Sequence, residues 1–408
     1  MTLGPHDAYT VISADCHAGA DLVDYRPYLE QRYHDDFDAW AATFVNPFRD
    51  LSEPGAERNW DDEVRNRDLD DEGVAGEVLF PNTVPPFFPR GSLTAPPPRD
   101  GYELQLRWAG LRAHNRWLVD FCSRAAQRRA GVGQILLNDL DAAVNEIGVI
   151  ADAGLRGGVL LPGIAPGCGL PPLYAEHWEP LWAACEAHGV VVNQHGGSAG
   201  PVPEPEWGSA MAVWVYESAW FAHRVLWHLV LNGTLERHPE LQLVLTEQGA
   251  GWVPATLDSL EGAASRYSRP DSAISRFAGP DAGALPRSPR EYWERQCHVG
   301  ASFFRPRECA ERHRIGVGRI MWGSDYPHYE GTAPHTKAAL RHTFAGVDPD
   351  EVAAMVGGNA AALYRFDLDA LAPLAARIGP TVAEVAEPLE AVPVGARSAA
   401  FDADATSQ

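Results

Sequence analysis

The stretch that decides the fold is Val190-Val191-Val192-Asn193-Gln194-His195-Gly196-Gly197, a short apolar run that ends in polar residues and then in glycines. Similar runs recur along the chain. Each is short and most are rich in valine, isoleucine or leucine, which is typical of strands buried on both faces of a parallel sheet. The predicted strands are Tyr9–Ala14, Gly76–Phe80, Val132–Leu137, Gly157–Leu161, Gly189–Val192, Leu241–Leu245, Gln296–Ala301 and Arg319–Trp322.

Helical patterns lie between many of these runs. Apolar residues recur at spacings of three and four in Leu104–Arg129, Leu140–Ala153 and His177–His188. Strands that alternate with helices require right-handed crossovers, and therefore a parallel sheet. Because there are eight strand candidates, the pattern favours a closed (β/α)8 TIM-like barrel over an open sheet.

Two long segments and the end of the chain depart from this alternation. Residues of about 21–71 and 81–102 are rich in aromatic residues or proline and follow the first and second strands, at the barrel end where loops build active sites. We interpret them as caps over a pocket, and exposed insertions without function are the alternative. Residues 1–365 then form one barrel domain. Residues 366–408 form a C-terminal extension that is predicted to be partly irregular or disordered.

Composition excludes several classes of protein. The 408 residues carry 33 Lys and Arg against 55 Asp and Glu, a formal charge of 33 − 55 = −22 that repels nucleic acid. With 45% hydrophobic residues the chain can bury a large core. No apolar run approaches the ~18 residues of a membrane span, and no secretory signal is visible. The six cysteines form no Cys-x-x-Cys pair, so we expect a cytoplasmic protein with reduced thiols.

Potential metal ligands lie at the ends of three predicted strands. Asp15 and His17 end the first strand two positions apart, and alternate side chains of an extended segment share a face. His195 ends the fifth strand and Asp325 the eighth. Each of these residues, taken alone, could instead have a structural role, such as a helix N-cap for Asp325. If the barrel closes, however, the four converge in a mixed nitrogen and oxygen site suited to zinc, manganese or iron(II).

Two further side chains are predicted to act beside that site. Glu247 ends the sixth strand and could be a general base, a proton donor to substrate carbon, another ligand, or the partner of an arginine. His328 follows the eighth strand and could contact the substrate or hydrogen-bond to a metal ligand. Capture of a substrate carboxylate would require an arginine, for which Arg67 and Arg90 are candidates.

Several motifs together resemble the amidohydrolase-related family, in the aminocarboxymuconate-semialdehyde decarboxylase-like branch of the metal-dependent hydrolase superfamily. The resemblance runs from about Thr10 to Tyr364. The motifs that carry it are Asp15-Cys16-His17, Asn193-Gln194-His195-Gly196-Gly197, Gly233-Thr234-Leu235-Glu236-Arg237-His238-Pro239, Gly323-Ser324-Asp325-Tyr326-Pro327-His328 and Gly358-Asn359-Ala360-Ala361.

The resemblance implies one divalent ion, with zinc expected first and manganese or iron as alternatives. The implied ligands are Asp15, His17, His195 and Asp325. The chain departs from the family pattern at two positions. Many members have histidine or glutamate in place of Asp15, and members typically carry a histidine after the sixth strand. Glu247 or Gln248 occupies that second position by spacing, and we favour Glu247 because it can ionise.

The resemblance also implies a reaction class. We expect a metal-dependent, non-oxidative decarboxylase of a small aromatic or unsaturated carboxylic acid, in which Asp325 or Glu247 supplies the proton that replaces CO2. The alternative is a hydrolase of an amide, lactone or carbon–carbon bond that uses a metal-activated water. A non-catalytic binding barrel is a third hypothesis. The branch implies a homodimer, and the expected ligand is a small carboxylic acid near His328.

Overall fold

The structure is a computed structural model that describes residues 4–48, 51–200, 208–269, 271–278 and 285–402. Eight parallel strands form one sheet in sequence order. They are β1 (Val11–Ala18), β2 (Val74–Pro81), β3 (Arg129–Gln134), β4 (Gly158–Leu160), β5 (Val192–His195), β6 (Leu243–Thr246), β7 (Cys297–Ser302) and β8 (Ile320–Gly323). The first and last strands meet, because the Asp325 amide donates to the Asp15 carbonyl at 2.8 Å and Cys16 bridges Tyr326. The predicted (β/α)8 barrel is confirmed.

Helices separate the strands and also fill the segments outside the alternation. The α-helices of the described residues are α1 (His34–Ala41), α2 (Asp62–Glu72), α3 (Gly101–Ser123), α4 (Leu140–Asp152), α5 (Glu179–His188), α6 (Ala210–Leu231), α7 (Thr234–Arg237), α8 (Val253–Tyr267), α9 (Ala273–Ala278), α10 (Pro289–Gln296), α11 (Pro306–Ala310), α12 (Arg312–Ile315), α13 (Thr336–Phe344), α14 (Pro349–Ala353), α15 (Asn359–Tyr364), α16 (Leu368–Ile378) and α17 (Val382–Ala386). Asp61, Asp100 and Asp139 start α2, α3 and α4 by accepting hydrogen bonds from first-turn amides.

Two apolar clusters cover the two faces of the barrel sheet. Successive strand residues fall into different clusters: Val11 packs in one and Ile12 in the other, and Val159 and Leu160 divide in the same way. This division follows from the alternation of side chains along a strand. The smaller cluster includes Phe366, whose ring lies beside Gly76 near the start of β2. The C-terminal extension therefore contributes to the packing at the amino end of the barrel.

Some element boundaries differ from the sequence prediction. The helix predicted to end at Arg129 ends at Ser123, and the strand predicted over Val132–Leu137 is β3, which ends at Gln134. Residues 135–137 are nevertheless buried. They lie in the loop above the strand, and an apolar run alone does not distinguish a strand from a buried loop. β1 and β5 extend further than predicted, so that their candidate ligands lie within the strands themselves.

The C-terminal extension packs on the barrel over its described part. α16 lies against β2 and α17 against α13. Ala400 and Phe401 are buried beside Ala339, and the Arg397 guanidinium lies 3.6 Å from the centre of the Tyr329 ring. The predicted disorder near the end of the chain concerns in part residues 403–408, which lie outside the described residues. None of the helices described above combines the length and apolarity needed to cross a bilayer.

Candidate metal centre

Four strand ends bring five candidate side chains to one point at the carboxyl end of the barrel, a group that we call the metal centre. Its members are Asp15, His17, His195, Glu247 and Asp325. Glu247 and Asp325 follow β6 and β8, and their backbones are left-handed, with φ angles of 53° and 59°. Such a conformation costs a non-glycine residue about 1–3 kcal/mol and tends to occur at functional sites.

The facing atoms of the metal centre lie close together. His17 Nε2 is 3.3 Å from Asp15 Oδ1 and 3.2 Å from Asp325 Oδ1. His195 Nε2 is 3.5 Å from Asp15 Oδ1 and 3.0 Å from Glu247 Oε2. One potential ligand atom from each of Asp15, His17, His195 and Glu247 lies within 4.8 Å of the other three. A second such group consists of His17, Glu247, Asp325 and His328. The structure thus brings Asp15, His17 and His195 together with Glu247, and Asp325 adjoins them through His17.

Several atoms at the middle of this group lack hydrogen-bond partners. Asp15 Oδ1, His17 Nε2, His195 Nε2 and Asp325 Oδ2 are buried, and none is aligned for a hydrogen bond within the described residues. The second polar atom of two of these side chains does have a hydrogen-bond partner. Ser302 donates to Asp15 Oδ2, and His195 Nδ1 lies 2.9 Å from the Gly196 carbonyl. Unpartnered buried polar atoms are costly. Imidazole nitrogens and carboxylate oxygens around one point are the donors that a divalent cation uses, so these residues fit a metal ion.

The mutual charges of the metal centre shift its pKa values. Burial raises the pKa of Glu247, and its neighbours leave it raised. Burial also tends to raise the pKa of Asp15, but the imidazoles of His17 and His195 outweigh it and lower that pKa. Burial lowers the pKa of His195, but Glu247 and Asp15 raise it well above its ordinary value. A cation must displace the proton of this imidazole, so metal binding should weaken at acidic pH.

His328 contacts the metal centre through Asp325. Its Nδ1 lies 2.7 Å from Asp325 Oδ1, and its Nε2 lies 3.0 Å from Asn82 Oδ1. Burial lowers the pKa of His328, but Asp325 overrides this effect and raises it to about 10. The imidazole therefore fixes the orientation of the carboxylate, which is one of the two roles that the sequence left open. His328 also lines the neighbouring cavity, so the structure keeps substrate contact open.

A cavity of about 500 Å³, which we call the central cavity, borders the metal centre. Its wall includes His17, His195, Glu247 and His328 together with Phe48, Phe80, Leu160 and Trp214. Neither Arg67 nor Arg90 lines it, and Arg67 is exposed near Asp68. Among the described residues no arginine or lysine lines the central cavity. Neither Arg67 nor Arg90 is therefore the positively charged side chain expected to hold a substrate carboxylate.

Two residues that support the site were missed by the sequence analysis. Ser302 ends β7 and donates to Asp15, and Asn82 follows β2 and contacts His328. A signal for both was available, because each comes directly after a predicted strand or within two residues of its end. The rule that selected the metal ligands would have selected these polar residues too.

The other residue proposed for the position of Glu247 was Gln248. Its side chain turns away from the metal centre, since its amide donates to the Gln194 carbonyl at 2.7 Å.

Comparison with known families agrees with this geometry. The family model described as amidohydrolase matches residues 15–366, most of the chain. The chain belongs to the amidohydrolase family. It is therefore an enzyme of the amidohydrolase superfamily. No curated protein matches the sequence.

Several solved structures share the fold. A 5-carboxyvanillate decarboxylase from Novosphingobium aromaticivorans, with bound manganese and a methoxy-hydroxy-nitrobenzoic acid, has a TM-score of 0.67 and 17% identity, covering 90% of this chain and 99% of that chain. The 5-carboxyvanillate decarboxylase of Sphingomonas paucimobilis has a TM-score of 0.63 and 19% identity, covering 88% and 100%. A dihydroxybenzoic acid decarboxylase from Polaromonas sp. JS666, with manganese and 2-nitroresorcinol, has a TM-score of 0.62 and 16% identity, covering 88% and 97%. At these identities the likeness establishes the fold alone.

Proposed function

We propose that this enzyme is a divalent-metal-dependent, non-oxidative decarboxylase of a small aromatic carboxylic acid. The observation that carries the proposal is a cluster of unpartnered imidazole and carboxylate atoms at the wall of an apolar cavity. Phe80, Leu160 and Trp214 line that cavity, and such a wall favours a planar, apolar ring. The decarboxylases that share the fold act on carboxyvanillate and dihydroxybenzoate, which supports this reaction class.

The proposed cation is held by Asp15, His17, His195 and Asp325, with Glu247 beside it. When bound, it would polarise an oxygen of the substrate. A set of two imidazoles with several carboxylates suits manganese as well as the zinc expected from the sequence. Two of the solved structures with this fold hold manganese. Metal analysis of the purified protein, followed by reconstitution with Mn²⁺ or Zn²⁺, decides between the two ions.

Glu247 is the better placed of the two candidate proton donors. Its side chain is 22% exposed and lines the central cavity, whereas Asp325 is fully buried between His17 and His328. In the proposed reaction the bond between the ring carbon and the carboxyl group breaks, and its electron pair stays on the ring carbon. A proton from Glu247 then replaces CO2 at that carbon. Asp325 would serve as a ligand that His328 holds in position.

The test is turnover of 2-hydroxybenzoate and 2,6-dihydroxybenzoate by the manganese-loaded enzyme. We expect CO2 release and, in D2O, one deuterium on the ring carbon that lost the carboxyl group. Glu247→Gln should lower kcat by about 100-fold or more, the typical contribution of a positioned acid. Glu294→Gln, an exposed position on α10, is the matched control and should change nothing. Full turnover by Glu247→Gln would contradict the assigned proton donor.

The hydrolase alternative uses the same ligands and is favoured by one observation, the Asp325 carboxylate, which His328 and His17 keep ionised against the effect of burial and which could accept a proton from water. Solvent labelled with ¹⁸O distinguishes the two reactions. A hydrolase incorporates ¹⁸O into its product, because water supplies the new oxygen. A decarboxylase releases CO2, and the oxygen content of its aromatic product does not depend on water. Incorporation without CO2 release would overturn the proposed decarboxylase.

A further inference from the structure

A second cavity, of about 320 Å³, adjoins the central cavity, and we call it the distal cavity. The two share five lining residues, which places them side by side. The shared residues are Ser92, Leu93, Thr94, Gly197 and Trp214. We call the two adjoining cavities together the cleft.

The distal cavity lies over a different part of the barrel from the metal centre. Leu136 and Leu137, which line it, follow β3, and Pro162 and Gly163 follow β4. The metal centre is built instead from β1, β5, β6 and β8. A ligand that occupies the whole cleft would therefore extend from the cation site towards the ends of β3 and β4.

The wall of the distal cavity is mostly apolar. Its apolar side chains include Phe88, Leu93, Leu136, Leu170 and Trp214. Arg107 is the charged side chain among its described lining residues. Its guanidinium pairs with Glu103 and donates to the Pro96 carbonyl at 2.5 Å, so one carboxylate offsets its charge, while its buried Nε has no hydrogen-bond partner among the described residues. Such a wall favours an uncharged, apolar group over an anionic one.

Gly197 lies where the two cavities adjoin. Gly197 borders both cavities and has a φ of 80°, a backbone conformation that favours glycine. A Cβ atom at this position would meet no atom within 4 Å. Open space therefore lies beside a residue that both cavities share.

We propose that the distal cavity binds an apolar extension of the substrate, so that the preferred acid is elongated. Its carboxylate and ring would occupy the central cavity beside the metal centre, and an aryl or branched alkyl tail would lie over β3 and β4. This inference rests on the proposed function, because the metal centre places the acid end of the ligand. A single-ring acid would leave the distal cavity to water.

The test is binding, so that it does not depend on the reaction. Dissociation constants are measured by calorimetry with manganese-loaded protein for 2-hydroxybenzoate and for its 3-phenyl and 5-phenyl derivatives. At least one phenyl derivative should bind about tenfold more tightly, because its added ring is buried against apolar side chains. Ala165→Trp fills the distal cavity, which Ala165 lines without reaching the central one. That variant should bind the phenyl derivative no more tightly than 2-hydroxybenzoate and should keep its affinity for 2-hydroxybenzoate. The control variant Ala376→Trp, at an exposed site on α16, should bind all three acids as the wild-type protein does.

A second measurement uses the wild-type chain and a natural reporter. Cys168 is a free, half-buried thiol that lines the distal cavity. Its alkylation by iodoacetamide is followed by mass spectrometry. The tighter phenyl derivative should slow the alkylation of Cys168 several-fold, whereas saturating 2-hydroxybenzoate should leave the rate unchanged.

Three results overturn the distal subsite alone: equal affinity of all three acids, a phenyl gain that survives Ala165→Trp, and equal protection of Cys168 by 2-hydroxybenzoate. A carboxyphenyl derivative that binds more tightly than the phenyl derivative also overturns it, because Arg107 would then select an anion. Failure of every acid to bind overturns this inference and the acid-binding pocket together. Binding with a phenyl gain but without CO2 release contradicts the proposed decarboxylase and leaves the subsite standing.

Discussion

Two buried charged clusters lie in this barrel, and they differ in whether their polar atoms have partners. In the arginine–glutamate cluster of Arg65, Glu77 and Arg129, Glu77 accepts from Arg65 at 2.7 Å and from Arg129 at 3.2 Å. Carbonyl groups accept further hydrogen bonds from both guanidinium groups, and Arg129 also pairs with Asp62. In the metal centre, by contrast, four buried atoms have no aligned hydrogen-bond partner among the described residues. Burial of charge is common to both, so the unpartnered atoms are the sign of a ligand site.

The two clusters are also connected. Arg65 Nη1 donates to the carbonyl of His17 at 2.8 Å, and its guanidinium lies 4.9 Å from the centre of the Tyr326 ring. Tyr326 follows Asp325 directly. The arginine–glutamate cluster therefore holds the backbone of one metal-centre residue, His17, and contacts the ring of the residue that follows another, Asp325.

The largest expected effect is on folding stability. Glu77→Gln should lower the free energy of unfolding by about 3–5 kcal/mol, because it leaves the buried Arg65 guanidinium without its counter-charge, whereas Arg129 keeps its ion pair with Asp62. Urea denaturation of metal-free protein measures it. Glu247→Gln is the matched substitution in the metal centre and should cost far less, since it removes a carboxylate that lies near two others. Equal losses would show that the two clusters do not differ in the way described.

The second effect is stabilisation of the folded protein by metal. We expect it to depend on the metal centre and not on the arginine–glutamate cluster. Mn²⁺ at 100 times its dissociation constant should stabilise the wild-type protein by about 2.7 kcal/mol, and a chelator should reverse this. His195→Ala removes a ligand and should abolish the increment. Thermal unfolding with and without Mn²⁺ gives the result. An undiminished increment in His195→Ala would place the cation elsewhere.

A smaller effect tests the connection between the clusters. Arg65→Lys keeps the positive charge but cannot reproduce all of the guanidinium hydrogen bonds. We expect metal affinity to fall about tenfold, as is typical when a residue that orients a ligand is changed. Calorimetric titration with Mn²⁺ measures the affinity, and Arg26→Lys on the surface is the control. Reduced stability with unchanged affinity would limit Arg65 to a structural role.

The smallest effect concerns an exposed pair. Arg26 and Asp38 lie 2.7 Å apart, the same separation as Arg65 and Glu77, but both side chains are exposed to solvent. Asp38→Asn should therefore leave the melting temperature unchanged within error, because water screens the pair. A clear fall in the melting temperature would mean that burial is not what distinguishes the two pairs.

Much of the barrel and of the metal centre could be predicted because both follow one rule. Parallel strands that close a barrel bring their carboxyl ends together, so Asp15, His195 and Asp325 could be grouped although they are far apart in sequence. The rule depends only on the place of each residue along its strand. It does not require knowledge of side-chain packing.

The arginine–glutamate cluster and the cleft could not be predicted in this way. Arg65 lies on α2, and the pairing of its side chain with Glu77 and Arg129 depends on how that helix packs against β2 and β3. The cleft depends on loop conformation. Residues 135–137 continue the apolar pattern of β3, so their place in the loop over the barrel is not visible in the sequence.

The contact between β1 and β8 has a consequence for biosynthesis. Asp325 is made more than three hundred residues after Asp15, yet the amide of Asp325 donates to the carbonyl of Asp15. A nascent chain that has not yet presented β8 holds only part of the ligand set. Under the proposed function, tight capture of the cation would come after ring closure, so that uptake of metal would mark a barrel whose synthesis and folding have passed the last strand.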